Sequence, residues 1–171
     1  MDAKQVKQLQ EEIIKVGREA YQQGLIVARG GNLSVRLNGE EFLMTAHTAA
    51  LGFLTPGDFV TVDLNGQVVK GDGKPSTETK LHTAIYRDTE AGAVVHLHPP
   101  YTNVLAVRGV ELKPMTFESS LFLGPTTPTV AQDSPSVTRL DGVIEALNLS
   151  NIIILKEHGT VAVGDNLWDA F

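Results

Sequence analysis

Apolar residues recur at three- and four-residue steps between Lys4 and Gln23, at Val6, Leu9, Ile13, Val16 and Ala20, and Gly24 follows as a stop. This spacing predicts an amphipathic opening helix. From Leu25 to Asp63 the period changes. Short β-prone runs at Leu33 to Leu37, Glu41 to Thr45 and Phe59 to Asp63 are punctuated by Gly30-Gly31-Asn32, Asn38-Gly39 and Pro56-Gly57, which predicts short antiparallel strands. Asn65-Gly66, between Val60/Val62 and Val68/Val69, predicts a two-residue hairpin. Helical spacing returns from Ser76 to Asp88 through Leu81, Ala84 and Ile85, with Ser76 or Thr77 as the N-cap. Ala93 to Leu97 is an apolar, β-branched run halted by His98-Pro99-Pro100, because proline cannot donate to a ladder. Helices are predicted over Thr102 to Arg108 and Thr138 to Leu147, and strands over Asn151 to Leu155 and Thr160 to Val163. Gly109 to Pro135, rich in Pro, Gly and Thr, is expected to be irregular, and a helical pattern has only begun at Asn166 to Phe171. Helices alternating with strands, with hairpins among them, predict a mixed sheet flanked by helices in one domain spanning 1–171.

Composition narrows the function. Fourteen basic against twenty acidic residues, with no Lys/Arg cluster, argue against nucleic acid as a partner. No apolar run has the ~20 residues of a spanning helix, and the amino terminus lacks a signal-like apolar stretch, so the expectation is a cytoplasmic protein with no membrane partner. Cysteine is absent, so any soft-metal site has to be built from histidine and carboxylate.

That makes the five histidines informative. In Val94-Val95-His96-Leu97-His98 side chains alternate faces, so His96 and His98 point the same way at a strand end. A single such histidine reads as a surface residue, whereas a pair at i, i+2 closed by two prolines favours a metal. His158, beyond the apolar strand and before Gly159, reads equally as a turn histidine or as a third ligand. Three neutral imidazoles with one open position suit a catalytic zinc better than a structural one, whose tetrahedron the protein closes. Glu78, after Ser76 and Thr77, either complements a helix dipole or supplies an acid/base, and the free amides and hydroxyls of that helix start suit a phosphate. Gly30-Gly31-Asn32 reads as a turn that could add a polar contact. His82, one helical turn after Glu78, reads either as a partner that supports the site residues or, in preference, as a packed helix residue. His47 shows no local pattern.

Taken together, Gly31-Asn32-Leu33-Ser34, Pro75-Ser76-Thr77-Glu78, His96-Leu97-His98-Pro99 and His158-Gly159 resemble, in order and separation, the class II aldolase/adducin superfamily. The resemblance covers nearly the whole chain. It implies a three-layer α/β/α fold with a mixed, largely antiparallel central sheet, and a homotetramer with active sites at subunit boundaries. It implies a divalent cation, Zn2+ or else Mn2+ or Co2+, held by His96, His98 and His158, with Glu78 as the acid/base that also occupies the cation when substrate is absent. Ser76, Thr77, Gly31 and Asn32 match the phosphate pocket. The implied activity is cleavage of a ketose phosphate to dihydroxyacetone phosphate and a short aldehyde through a metal-stabilised enediolate. Epimerase members usually carry Asp where this chain has Glu78, which favours an aldolase; a dehydratase or epimerase, and a non-catalytic adducin-like binding domain, are the alternatives. The chain departs from the pattern at two places. A family loop that usually reads Thr-Pro-Ser/Thr-Gly is here Thr45-Ala46-His47-Thr48, leaving His47 and Thr48 as candidate anion contacts, and the place of a tyrosine contributed across a subunit boundary is Phe117. Family members also continue into a helical tail beyond the position of Phe171.

Overall fold

The computed structural model describes residues 1–124, 126–134, 137 and 139–171. Helix α1 (Ala3–Gln22) begins on Asp2, whose carboxylate accepts from the Gln5 amide while the Gln5 side chain accepts from the Asp2 amide, both at 2.8 Å. This reciprocal pair satisfies amides that a helix start otherwise leaves open. The same periodic stripe that predicts the helix buries Ile13, Val16 and Ala20.

Eight strands, β1 (Asn32–Arg36), β2 (Glu41–Thr45), β3 (Phe59–Asp63), β4 (Val68–Lys70), β5 (Ala93–Leu97), β6 (Thr129–Val130), β7 (Ile152–Leu155) and β8 (Gly159–Gly164), make one sheet among the described residues. Their order is β4-β3-β2-β1-β5-β8-β7-β6, and only the β6–β7 pairing is parallel. The strand alternation divides the core in two. Leu33, Val35, Leu43, Val95 and Leu97 pack with α1 and α6 (Leu167–Ala170) on one face. Phe42, Met44, Val60, Val94 and Val161 pack on the other with α2 (Thr79–Asp88) and α5 (Leu140–Leu147). Full burial of each such aliphatic side chain contributes roughly 1.5–3 kcal/mol. The result is the expected α/β/α layering around a mixed, largely antiparallel sheet. No helix among the described residues is long and apolar enough to cross a membrane.

Several local expectations are corrected. Helix α2 begins at Thr79, with Glu78 and not Ser76 or Thr77 at the N-cap position. The Ser76 hydroxyl instead accepts from the Glu78 amide at 3.2 Å, in a turn that precedes the helix. The segment expected to be irregular contains α4 (Phe117–Leu123), started by a capping box between Thr116 and Ser119, and strand β6. Helix α3 (Pro100–Val107) opens at Pro100, where the missing proline N–H costs nothing, rather than at Thr102. The helix expected from Thr138 starts at Leu140, and Thr138 lies outside the described residues.

Candidate active site

Strand β5 is fully buried and ends at Leu97, and Pro99 and Pro100 turn the chain into α3. His96 therefore shares a face with Val94, and His98 follows just beyond the strand. His158 comes from the tight turn joining β7 to β8, closed by the His158 amide donating to Leu155 O at 3.1 Å, with Glu157 at φ 62°. Antiparallel pairing sets β8 beside β5, placing Leu97 opposite Thr160 and His96 opposite Val161. That register delivers the turn histidine to the two strand-end histidines.

The three rings converge through their Nε2 atoms. His96 Nε2 lies 3.0 Å from His98 Nε2 and 3.3 Å from His158 Nε2, and the potential ligand atoms of the group all lie within 4.8 Å of one another. His96 Nδ1 is 2.8 Å from Thr160 O, so that nitrogen carries the proton and Nε2 keeps its lone pair. At such distances a neighbouring imidazole either donates an N–H to the His96 Nε2 lone pair or shares a positive centre with it. Nitrogens about 2.0–2.1 Å from a tetrahedral cation are separated by about 3.3 Å, so the two separations from His96 suit a zinc-like ion. Burial, then the two neighbouring rings, holds His96 well below the usual imidazole value; burial and His158 bring His98 down to about 4; burial also lowers His158. All three are thus neutral near pH 7, as ligation requires. Gly159 is required by the approach, because a Cβ there would lie 2.3 Å from Leu97 O and 2.7 Å from the His98 ring.

The loop before β1 presses on the same place. Gly31 has φ 75°, and a Cβ on it would meet His96 O at 2.7 Å, so Gly30-Gly31-Asn32 is a close-approach element and more than a turn. Asn32 is buried directly across the β1–β5 pairing from His96. A bridge between Ala46 and Pro75 brings the exposed His47 and Thr48 alongside the segment carrying Ser76 and Thr77. Glu78 is buried; its Oε2 accepts from the Val137 amide at 3.4 Å, and burial raises its pKa against the lowering effect of that bond. Its carboxylate does not join the gathered three-histidine group.

His82 is packed as expected, and it is also tied to a site residue. It is fully buried, yet both ring nitrogens are bonded: Nδ1 to Ser34 Oγ at 2.6 Å and Nε2 to Asn32 Oδ1 at 2.5 Å. The signal was present in the chain, since Glu78, His82 and Tyr86 are spaced four apart on a helix and Asn32, Ser34 and Arg36 two apart on a strand. Each set defines one face.

The family described as class II aldolase and adducin N-terminal domain matches residues 11–171. An L-fuculose phosphate aldolase of Methanocaldococcus jannaschii is 33% identical over 162 residues, covering 94% of this chain and 87% of that protein. A 3-oxo-tetronate 4-phosphate decarboxylase of Pectobacterium atrosepticum is 33% identical over 163 residues, covering 91% and 74%. The crystal structure of L-fuculose-1-phosphate aldolase from Thermus thermophilus superposes with a TM-score of 0.82 at 34% identity, covering 93% of this chain and 80% of that one. With the sheet order, the layering and the converged histidines, these matches establish that the chain belongs to the class II aldolase and adducin N-terminal domain family.

Proposed function

We propose that the protein is a metal-dependent carbon–carbon lyase that cleaves a ketose phosphate to dihydroxyacetone phosphate and a short aldehyde. The observation that carries this reading is the convergence of three neutral imidazole Nε2 atoms, with His96 fixed in the ligating tautomer by Thr160 O. His96, His98 and His158 would hold the ion, Zn2+ by its nitrogen donors and distances, with Mn2+ or Co2+ as substitutes. A divalent cation there supplies the positive charge that offsets negative charge developing on a carbonyl oxygen as the bond breaks.

The chain's own residues supply the rest. Glu78, its pKa raised by burial, is suited to hold and return a proton. The Ser76 and Thr77 hydroxyls, with Gly31, Asn32, His47 and Thr48, frame the pocket for the phosphate. The names of both relatives contain a phosphate, which supports a phosphorylated substrate. Acting on soluble sugar phosphates, the enzyme would work in the cytoplasm as a tetramer.

The decarboxylase relative favours one second reading, in which the leaving fragment is carbon dioxide. Purified protein should retain about one divalent ion per chain. Challenged with a panel of ketose phosphates and 3-oxo acid phosphates, it should release aldehyde from a ketose phosphate. Release of carbon dioxide without aldehyde would move the assignment to the decarboxylase, and loss of water to a dehydratase.

A further inference from the structure

Helix α2 lies along β1 with a polar stripe facing a polar stripe. Four helical residues advance about 6 Å and two strand residues about 6.8 Å, so the stripes stay nearly in step for two turns. At one end Arg36 donates to Tyr86 O at 2.8 Å, Thr89 O at 2.9 Å and Ala91 O at 2.8 Å, and its guanidinium sits 4.8 Å from the Tyr86 ring centroid. Next, Tyr86 Oη lies 2.7 Å from Ser34 Oγ, followed by Ser34 to His82 Nδ1 and His82 Nε2 to Asn32 Oδ1. At the other end Asn32 faces His96 across the strand pair.

The sense of this chain of bonds follows from its ends. Asn32 Oδ1 can only accept, so His82 Nε2 carries the proton and Nδ1 is the acceptor. Ser34 then donates to Nδ1, and Tyr86 donates to Ser34. Tyr86 is suited to that end, because a phenol bonded to Ser34 Oγ has its O–H free to donate there, while the Arg36 guanidinium lies over its ring. With its oxygen committed to His82, Asn32 keeps its NH2, which makes no hydrogen bond within the chain among the described residues.

The geometry points to His82 as a positioning residue: through the Tyr86–Ser34–His82 relay it holds the Asn32 carboxamide with its NH2 turned to the ligand, so that this point of the pocket selects an oxyanion acceptor. The assignment rests on the reading of the pocket as one for a phosphorylated ligand. A fully buried imidazole bonded at both nitrogens has one stable tautomer, so the carboxamide cannot flip without leaving two buried polar groups unsatisfied.

Inorganic phosphate binding, measured calorimetrically on the metal-loaded protein, tests the relay without requiring turnover. His82→Leu removes the donor to Asn32, and phosphate affinity should fall about tenfold or more. His82→Gln retains an N–H near the Nε2 position and should bind close to wild type. Asn32→Asp keeps the acceptor for His82 but turns a carboxylate oxygen to the ligand, so phosphate binding should be lost with the melting temperature nearly unchanged. Equal affinities in the Leu and Gln variants, or normal binding in Asn32→Asp, would overturn the assignment. Should the Leu variant fail to fold, 15N spectra of the histidines in the wild-type protein decide: His82 protonated at Nε2 supports the relay, and protonation at Nδ1 sinks it. Phosphate bound through the relay while no ketose phosphate is cleaved would leave the positioning role standing and remove the lyase assignment. Failure of the wild-type protein to bind phosphate overturns the positioning role.

Discussion

The imidazoles of His96, His98 and His158 differ in how firmly each is held, and that sets what their removal does. His96 is anchored by Thr160 O inside a buried strand, whereas His98 lies beyond the strand end and contributes little to either core cluster. His98→Ala should therefore abolish metal retention and activity with the fold largely kept, as metal analysis beside circular dichroism would show; full occupancy in the variant would dismiss the three-histidine site. Glu78 makes a separable demand. If it only complements the helix start, Glu78→Gln costs about 0.3–1 kcal/mol of stability and spares turnover. As the proton carrier, the same change keeps metal and fold and lowers turnover roughly 10²–10⁴-fold. Comparing turnover with melting temperature in the two proteins separates these outcomes. The histidine pair was legible in the chain because strand alternation alone puts His96 and His98 on one face. The position of His158 beside them was legible only through the family resemblance, since it depends on the β5–β8 register, which no local pattern carries.

Among the elements, those with a strong internal period were legible, and β2 and β3 have the predicted bounds. Helix α4 was hidden because Phe117 and Leu121 stand in a stretch rich in Pro, Gly and Thr, and β6 was hidden because two residues paired in parallel with β7 have no local signature. The start of α2 misled because Ser76 spends its hydroxyl on a turn before the helix. The seam between α2 and β1 carries a pH prediction of its own. Desolvation lowers the His82 pKa from 6.5 to about 3. The folded value lies below the unfolded one, so between them the unfolded chain binds more protons; the stability concerned is fully present above pH 6.5 and is lost as pH falls toward 3. At about 1.4 kcal/mol per unit, the whole effect is on the order of 4–5 kcal/mol. The metal-free protein should thus show a urea midpoint that drops steadily from pH 7 to 4, and the drop should be shallower in His82→Gln. Parallel pH profiles for the two would refute the linkage.

At the scale of the molecule, the two core clusters account for the sheet, α1, α2, α5 and α6, but not for the far side of α3 and α4. Helix α4 has no buried residue; Phe117 is 99% exposed, Leu121 78% and Phe122 67%, and the preceding Met115 is 95% exposed. A seven-residue helix is too short to persist on its own propensity, and apolar groups contiguous in this way are of the kind that a partner or another segment covers. A second copy of the chain is the economical cover, because closed symmetric assembly buries the same patch on every subunit. Sedimentation at micromolar concentration should therefore show a homo-oligomer, with a tetramer expected. Leu121→Asp combined with Phe122→Asp should release monomers. The three histidines proposed as metal ligands all come from one chain, so those monomers should keep their ion. Turnover should nevertheless collapse if a neighbour completes the pocket near Phe117. Monomers with full turnover would mean that each subunit works alone, and a monomeric unaltered protein would leave α4 needing a different partner.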